Sequence, residues 1–292
     1  MMETSEIFKK VRKIEIKTRG LSNHIFSGQY HSVFKGRGMA FSEVREYQYG
    51  DDIRNIDWNV TARFNHPYIK IFDEERELTV MLIIDVSGSN QFGTQQNIKQ
   101  NQITEIAAVL AFSAIHNNDK VGVIFFSNKI EKFIPPKKGT SHILRIIREL
   151  VDFVPQNTET DIRGALRYFT NVIKKRCTAF LLSDFLSEGF DDAMKIGNKK
   201  YDLIAVNIYD VRETEIPDVG LIRVRNAETG QQMWVDSSDR KTRESYRRWY
   251  LKQAAYLNDV TVRSGVDLVK IRTDEDYVRP LIGLFKRRGA RK

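Results

Sequence analysis

The residues of this chain whose types and spacing could do chemistry begin with Asp85-Val86-Ser87-Gly88-Ser89. Alternate residues where a strand gives way to a loop can point one way, so Asp85, Ser87 and Ser89 present one carboxylate and two hydroxyls to a single point. Hard oxygen donors of that mixture suit Mg²⁺ or Mn²⁺. Two further oxygens come from distant sequence: Thr160, in Thr158-Glu159-Thr160-Asp161 ahead of a helical pattern, and Asp184, which ends the apolar run Phe180-Leu181-Leu182-Ser183. The competing reading makes the serines helix caps and Asp85 a turn residue. Asp-x-Ser-x-Ser is short enough to arise by chance. Its place after an apolar strand, with a pre-helical Thr and a strand-final Asp following in order, is what makes it a candidate.

The elements that must position these residues alternate between strand and helix. Residues 79–85 are a continuous apolar run between charge and Ser-Gly-Ser, the pattern of a buried parallel strand. Ile103, Ile106, Ala107, Leu110, Ala111 and Ala114 then recur at helical spacing up to His116-Asn117-Asn118. A strand over 121–126 and a short alternating strand over 129–134, stopped by Pro135-Pro136, precede a helix carrying Ile143, Ile146, Ile147 and Leu150. Helix 162–173, strand 178–184, helix 191–196 and strand 203–209 continue the series, followed by a hairpin of 221–224 with 232–235 through Glu228-Thr229-Gly230. A long helix over 240–263, a strand over 267–271 and a last helix capped by Asp274 close it. The expected fold class is therefore α/β, a doubly wound, mainly parallel sheet of Rossmann-like type. Such sheets bind ligands at the carboxyl ends of their strands, beside the point where strand order reverses.

Residues 1–78 read differently, as an N-terminal extension carrying a small β/helical appendage. Asp51 is the expected cap of a helix bearing Ile53, Ile56 and Val60, and residues 68–72 alternate as an edge strand. The expected division is thus 1–78, a main domain over 79–285, and a basic tail over 286–292.

The 292 residues are 41% hydrophobic and 29% charged, which excludes a disordered chain. No stretch reaches the roughly 18 to 20 apolar residues needed to cross a bilayer, and no apolar leader is seen. Cys177 as the only cysteine excludes an internal disulfide, so a cytoplasmic location is expected. Lys286, Arg287, Arg288, Arg291 and Lys292 supply five of the nine units of net positive charge. That tail reads as a solvated end, or as a patch for anionic lipid or nucleic acid.

The oxygen set resembles the metal ion-dependent adhesion site of von Willebrand factor A domains, Asp-x-Ser-x-Ser followed by a distant Thr and a distant Asp. The resemblance implies that Ser87, Ser89 and Thr160 touch the metal through hydroxyls while Asp85 and Asp184 act directly or through water. A Mg²⁺ of six ligands would keep one corner for a partner's acidic side chain. Ahead of the site, Gly36-Arg37-Gly38, Phe41, Arg45-Glu46-Tyr47-Gln48-Tyr49-Gly50-Asp51-Asp52-Ile53-Arg54, Ile56-Asp57-Trp58 and Ala62-Arg63, on to Glu74-Glu75-Arg76, resemble the bacterial family called domain of unknown function fifty-eight. Asn90 departs from it, standing where methionine is common. Members are often encoded beside MoxR-type AAA+ ATPases. This implies an adaptor or co-chaperone that grips the ATPase or its client, with no small-molecule substrate.

The chain has no Gly-x-x-x-x-Gly-Lys-Ser/Thr loop and so no P-loop of its own. A phosphotransferase or phosphatase using Asp85 as nucleophile would want a second carboxylate two residues on, where Ser87 stands. Nucleic-acid binding through the basic termini is the remaining alternative. For the Arg45–Arg63 segment, the expectation is a structural network of Arg45, Arg54 and Arg63 with Glu46, Asp52 and Asp57 around Trp58, the alternative being a docking surface.

Overall fold

The computed structural model describes residues 40–73, 78–91, 99–226 and 230–290, divided between two units, Phe34–Leu78 and the chain from Thr79 onward. In the smaller unit, β1 (Ala40–Glu46) pairs antiparallel with β2 (Tyr68–Asp73), with a register shift between Phe41 and Glu43. Asp52 accepts from Arg54 N to open the short 3₁₀ turn Ile53–Asn55. Asp57 accepts from Asn59 N and Val60 N to cap α1 (Trp58–Phe64), which Asn65 ends in the left-handed region at φ 60°.

Two expectations for this segment are corrected. Asp51 caps no helix, because its carboxylate is held by both terminal nitrogens of Arg45 at 2.9 and 2.8 Å and by Gln48 N at 2.8 Å. The ion network forms with other partners and without its expected centre. Arg54 pairs with Asp52 at 3.0 Å as anticipated, but Arg45 takes Asp51 rather than Glu46, and Asp57 pairs with Lys70 at 3.5 Å. Trp58 is 70% exposed. Gly36 to Gly38 and Glu74 to Arg76 lie outside the described residues.

In the larger unit, Val80-Met81-Leu82-Ile83-Ile84 has no polar side chain to give to water, and all five are fully buried. They form β3 (Thr79–Asp85), beside β4 (Lys120–Phe126) and β6 (Thr178–Ser183), with β5 (Ile130–Lys137), β7 (Asp202–Tyr209) and β10 (Asp267–Arg272) outward. The order β10-β7-β6-β3-β4-β5 is parallel throughout except between β4 and β5. Read in chain order these six strands lie 3-2-1-4-5-6, the doubly wound arrangement that the α/β alternation predicts. Helices α2 (Lys99–His116), α3 (Thr140–Val151), α4 (Ile162–Val172), α5 (Asp191–Lys200), the single-turn α6 (Val211–Thr214), α7 (Arg240–Ser264) and α8 (Val278–Ala290) connect and flank the strands. The hairpin of β8 (Leu221–Arg225) and β9 (Gln232–Asp236) precedes α7, while Glu228 and Thr229 of its expected turn lie outside the described residues.

Three boundaries move for physical reasons. Pro135 and Pro136 do not stop β5, which runs to Lys137; as an edge strand it has a side that needs no N–H donor. Asp274 does not cap α8, because its carboxylate pairs with Arg272; it is Asp276 that accepts from Val278 N, the first residue of the helix, at 3.0 Å. The basic tail does not begin as a free end at 286, because α8 continues to Ala290 and Arg288 pairs with Asp202 and, at 2.8 Å, with Asp267. Cys177 is buried in the core, and burial together with the Asp202 charge pushes its thiol up to about 12.

Gly122 in the middle of β4 lets three strands close up. A Cβ there would lie 2.7 Å from Met81 Sδ on β3 and 2.9 Å from the backbone nitrogen of Pro136 on β5, and the second contact cannot swing away. Gly122→Ala should therefore cost about 1–3 kcal/mol. Urea unfolding would show a lower midpoint at an unchanged slope, and an unchanged midpoint would mean that the strands relax freely.

Candidate metal centre

Asp85 ends β3 at the carboxyl edge of the sheet, next to both β4 and β6. The chain then turns tightly: Ser87 N donates to Asp85 Oδ1 at 2.9 Å and Val86 N to Phe126 O at 2.9 Å. A 3₁₀ turn over Gly88–Gln91 follows, so neither Ser87 nor Ser89 caps α2, which begins at Lys99. Their hydroxyls meet instead, with Ser87 Oγ and Ser89 Oγ 3.0 Å apart. The alternation read from the sequence thus converges as expected.

The loop carrying Thr160 is pinned to this turn from both sides. Gly88 N donates to Thr158 O and Asp161 N to Ser127 O, each at 2.9 Å. Asp161 then caps α4 by accepting from Gly164 N at 2.9 Å. Between these ties, Thr160 Oγ1 is buried and has no hydrogen-bond partner among the described residues. An orphaned buried hydroxyl costs stability of about 1–3 kcal/mol, so its position asks for a partner.

Asp184 follows the last residue of β6, and its aim is set by a strained turn. Phe185 is buried and non-glycine, yet sits at φ 56°, a conformation costing on the order of 1–3 kcal/mol. Phe185 N donates to Ser183 Oγ at 3.1 Å and Leu186 N to Asp184 Oδ1 at 3.2 Å. Ser183 in turn donates its hydroxyl proton to Asp85 Oδ2 at 2.6 Å, tying the ends of β3 and β6 together. Ser89 helps to lower the pKa of Asp184. The five sequence-predicted residues therefore lie on one edge: the two serines touch, Ser89 helps to lower the pKa of Asp184, Asp85 is bound to Ser183 beside Asp184, and Thr160 arrives on a loop tied to Gly88.

The two carboxylates differ in charge compensation. Burial and the Asp184 charge push Asp85 up to about 6, although Ser183 and Ser87 donate to it. Burial acts on Asp184 too, but the Lys99 ammonium outweighs it and holds Asp184 below the usual carboxylate range. Lys99, fully buried, has its Nζ 2.9 Å from Asp184 Oδ2 and 2.5 Å from Glu213 Oε1. Burial alone would lower the lysine's pKa; the two carboxylates reverse this and raise it.

Lys99, Glu213 and Ser183 were not anticipated. Lys99 sits in a polar stretch ahead of the first apolar position of its helix and carries no local mark. Glu213 had one: Asp210-x-x-Glu213 directly after a strand is a capping-box pattern, and both halves form here.

Among the described residues, no group of three or more His, Cys, Asp and Glu could hold a metal. The oxygen set at this edge is of another kind, hydroxyls with carboxylates behind them. Three hydroxyls, one of them orphaned, fit a hard divalent ion such as Mg²⁺. Beside Asp85 and Ser87 a cleft is lined by Gln100, Ile103, Leu150, Phe153 and Pro155.

Ser183→Ala removes a donor from a buried carboxylate and an acceptor from Phe185 N. A loss of about 1–3 kcal/mol is expected in denaturant unfolding; a loss below 0.5 kcal/mol would mean that the bond between the strand ends contributes little.

Comparison with known proteins finds relatives along nearly the whole chain. Uncharacterized protein Rv1480 of Mycobacterium tuberculosis is 28% identical over 288 residues, covering 96% of this chain and 90% of that protein. Uncharacterized protein YeaD of Bacillus subtilis is 25% identical over 109 residues, 37% of this chain and 25% of that one. Among solved structures, BatB from Bacteroides thetaiotaomicron is similar with a TM-score of 0.48 and 17% identity, over 74% of this chain and all of that chain. Proximal thread matrix protein 1 from the mussel byssus, solved with a zinc-occupied MIDAS motif, is similar with a TM-score of 0.37 and 19% identity, over 46% of this chain and 38% of that one. The model of the family described as "Protein of unknown function DUF58" matches residues 43–256. With more than half its length so matched, the chain belongs to the DUF58 family.

Proposed function

We propose that this protein is a metal-dependent protein-binding module: a divalent ion, Mg²⁺ or Mn²⁺, held at the carboxyl edge of the sheet, grips an acidic side chain of a partner. The observation that carries this reading is the buried Thr160 Oγ1, without a partner among the described residues, beside the loop in which Ser87 and Ser89 bring their hydroxyls to 3.0 Å. Ser87, Ser89 and Thr160 would be the direct ligands. Asp85, held by Ser183 and Ser87, and Asp184, held by Lys99, supply negative charge behind them. When bound, the ion offers a partner carboxylate a hard Lewis-acid corner.

Catalysis is not part of this reading. An attacking Asp85 would need to be reachable, yet it is 1% exposed and its two oxygens accept from Ser87 N and Ser183 Oγ. For the partner we propose a MoxR-type AAA+ ATPase or its client, with the chain acting as adaptor or co-chaperone in the cytoplasm. The support is the family resemblance, and no helix among the described residues is long and apolar enough to cross a membrane.

One experiment covers both the metal and the partner. Binding of the purified MoxR-type ATPase from the same organism is measured for wild type and Ser87→Ala/Ser89→Ala, each with Mg²⁺ or EDTA, with thermal melts alongside. Mg²⁺ at about 100 times Kd should add about 2.7 kcal/mol, several degrees in Tm, to wild type alone, and only that sample should retain the ATPase. A double variant that responds fully to Mg²⁺ removes the site, and equal ATPase binding in all four samples removes metal-mediated gripping.

A further inference from the structure

The Lys99 ammonium is the feature of this edge that metal binding does not call for. Taking an ammonium and a carboxylate out of water is costly unless their geometry repays it, and here one ammonium with no exposed surface faces Asp184 on one side and Glu213 on the other. Glu213 is fixed in place. Its Oε2 accepts from Asp210 N at 2.9 Å, and Asp210 accepts from Arg212 N at 2.8 Å and from Thr273 Oγ1 at 2.6 Å. The ammonium is thus held between a carboxylate of the oxygen cluster and one anchored to the ends of β7 and β10. Asp184, which Lys99 holds, belongs to the oxygen cluster: its pKa is lowered by Ser89 as well as by Lys99, and Ser89 Oγ lies 3.0 Å from Ser87 Oγ.

We propose that Lys99 is a built-in counter-cation of the oxygen cluster, holding the cluster together without a metal and setting how weakly it takes a divalent ion. The inference rests on the metal-binding reading above. A cation paired with a carboxylate of the cluster repels a second positive charge that binds there, and it offsets the repulsion among carboxylates when nothing does. Glu213 shares the ammonium and so moderates its effect. Two substitutions then act in opposite directions. Lys99→Met takes away the repelling charge and leaves Asp184 and Glu213 uncompensated, so the metal-free protein loses stability while its affinity for a divalent ion rises. Glu213→Gln leaves the whole ammonium to Asp184, so affinity falls. A purely structural lysine would not give opposite signs.

The test is titration of the full chain with Mn²⁺, following free Mn²⁺ by electron paramagnetic resonance, with melts in EDTA and in saturating Mn²⁺. Expected for Lys99→Met is a Kd lower by about tenfold or more, a conservative figure for one charge removed near a dication at an effective dielectric of about 20. Its melting temperature should be lower in EDTA and restored more by Mn²⁺ than that of wild type. For Glu213→Gln the Kd should rise several-fold; this variant keeps the ammonium paired and decides the matter if Lys99→Met does not fold. Kd values that stay at the wild-type level, or that move the same way in both variants, overturn the counter-cation role while leaving the metal site standing. Failure of wild type itself to bind Mn²⁺ overturns the metal reading and this inference with it.

Discussion

Carboxylates taken out of water must be given donors or positive charge, and the larger unit buries two of them side by side at the end of its sheet. Asp85 and Asp184 are 1% and 5% exposed. Asp85 is met by the neutral donors Ser87 N and Ser183 Oγ and stays raised, to about 6; Asp184 is met by an ammonium and is lowered. Much of the surrounding structure follows from meeting that demand. The Ser183 bridge joins the ends of β3 and β6, the left-handed Phe185 aims Asp184, and the first residue of α2 delivers Lys99. Strain of on the order of 1–3 kcal/mol at Phe185 is tolerated because the core around it fixes the turn.

The sheet explains why these groups meet at all. In a doubly wound sheet, the strands on either side of the reversal in order send their connections to opposite faces, which leaves a crevice at their carboxyl ends. β3 lies between β4 and β6. The loop after β3 therefore carries Asp85, Ser87 and Ser89 into the crevice, and the residue after β6 brings Asp184. Thr160 comes from farther away, on the loop before α4, and needs the two backbone ties through Thr158 and Asp161 to reach the same edge.

Much of this was legible in the residues. A run such as 79–85, seven residues long and bounded by charge and Ser-Gly-Ser, reads as a strand buried on both sides, and its strand-final Asp followed by alternating serines marks the edge where ligands bind. The order of elements and the convergence of Ser87 with Ser89 were likewise readable. What stayed hidden has a common cause, which is that polar contacts between distant segments leave no periodicity. Lys99 and Glu213 are 114 positions apart, and a lysine heading a helix reads as a solvated residue, not as a buried one. Asp51 precedes an apolar repeat and so has the pattern of a cap, in which the bidentate grip of Arg45 cannot be seen. Pro135-Pro136 read as a stop because the strand's edge position was unknown. The basic end read as a tail because the acids that hold Arg288, Asp202 and Asp267, are far off in sequence.

Anomalous scattering from a crystal grown with Mn²⁺ tests the central claim most directly. The account expects one strong peak at the carboxyl edge of the sheet, within roughly 2.1 Å of the hydroxyl oxygens of Ser87, Ser89 and Thr160, with Lys99 still against Asp184. A peak elsewhere, or no peak with those three hydroxyls ordered and turned apart, would contradict it.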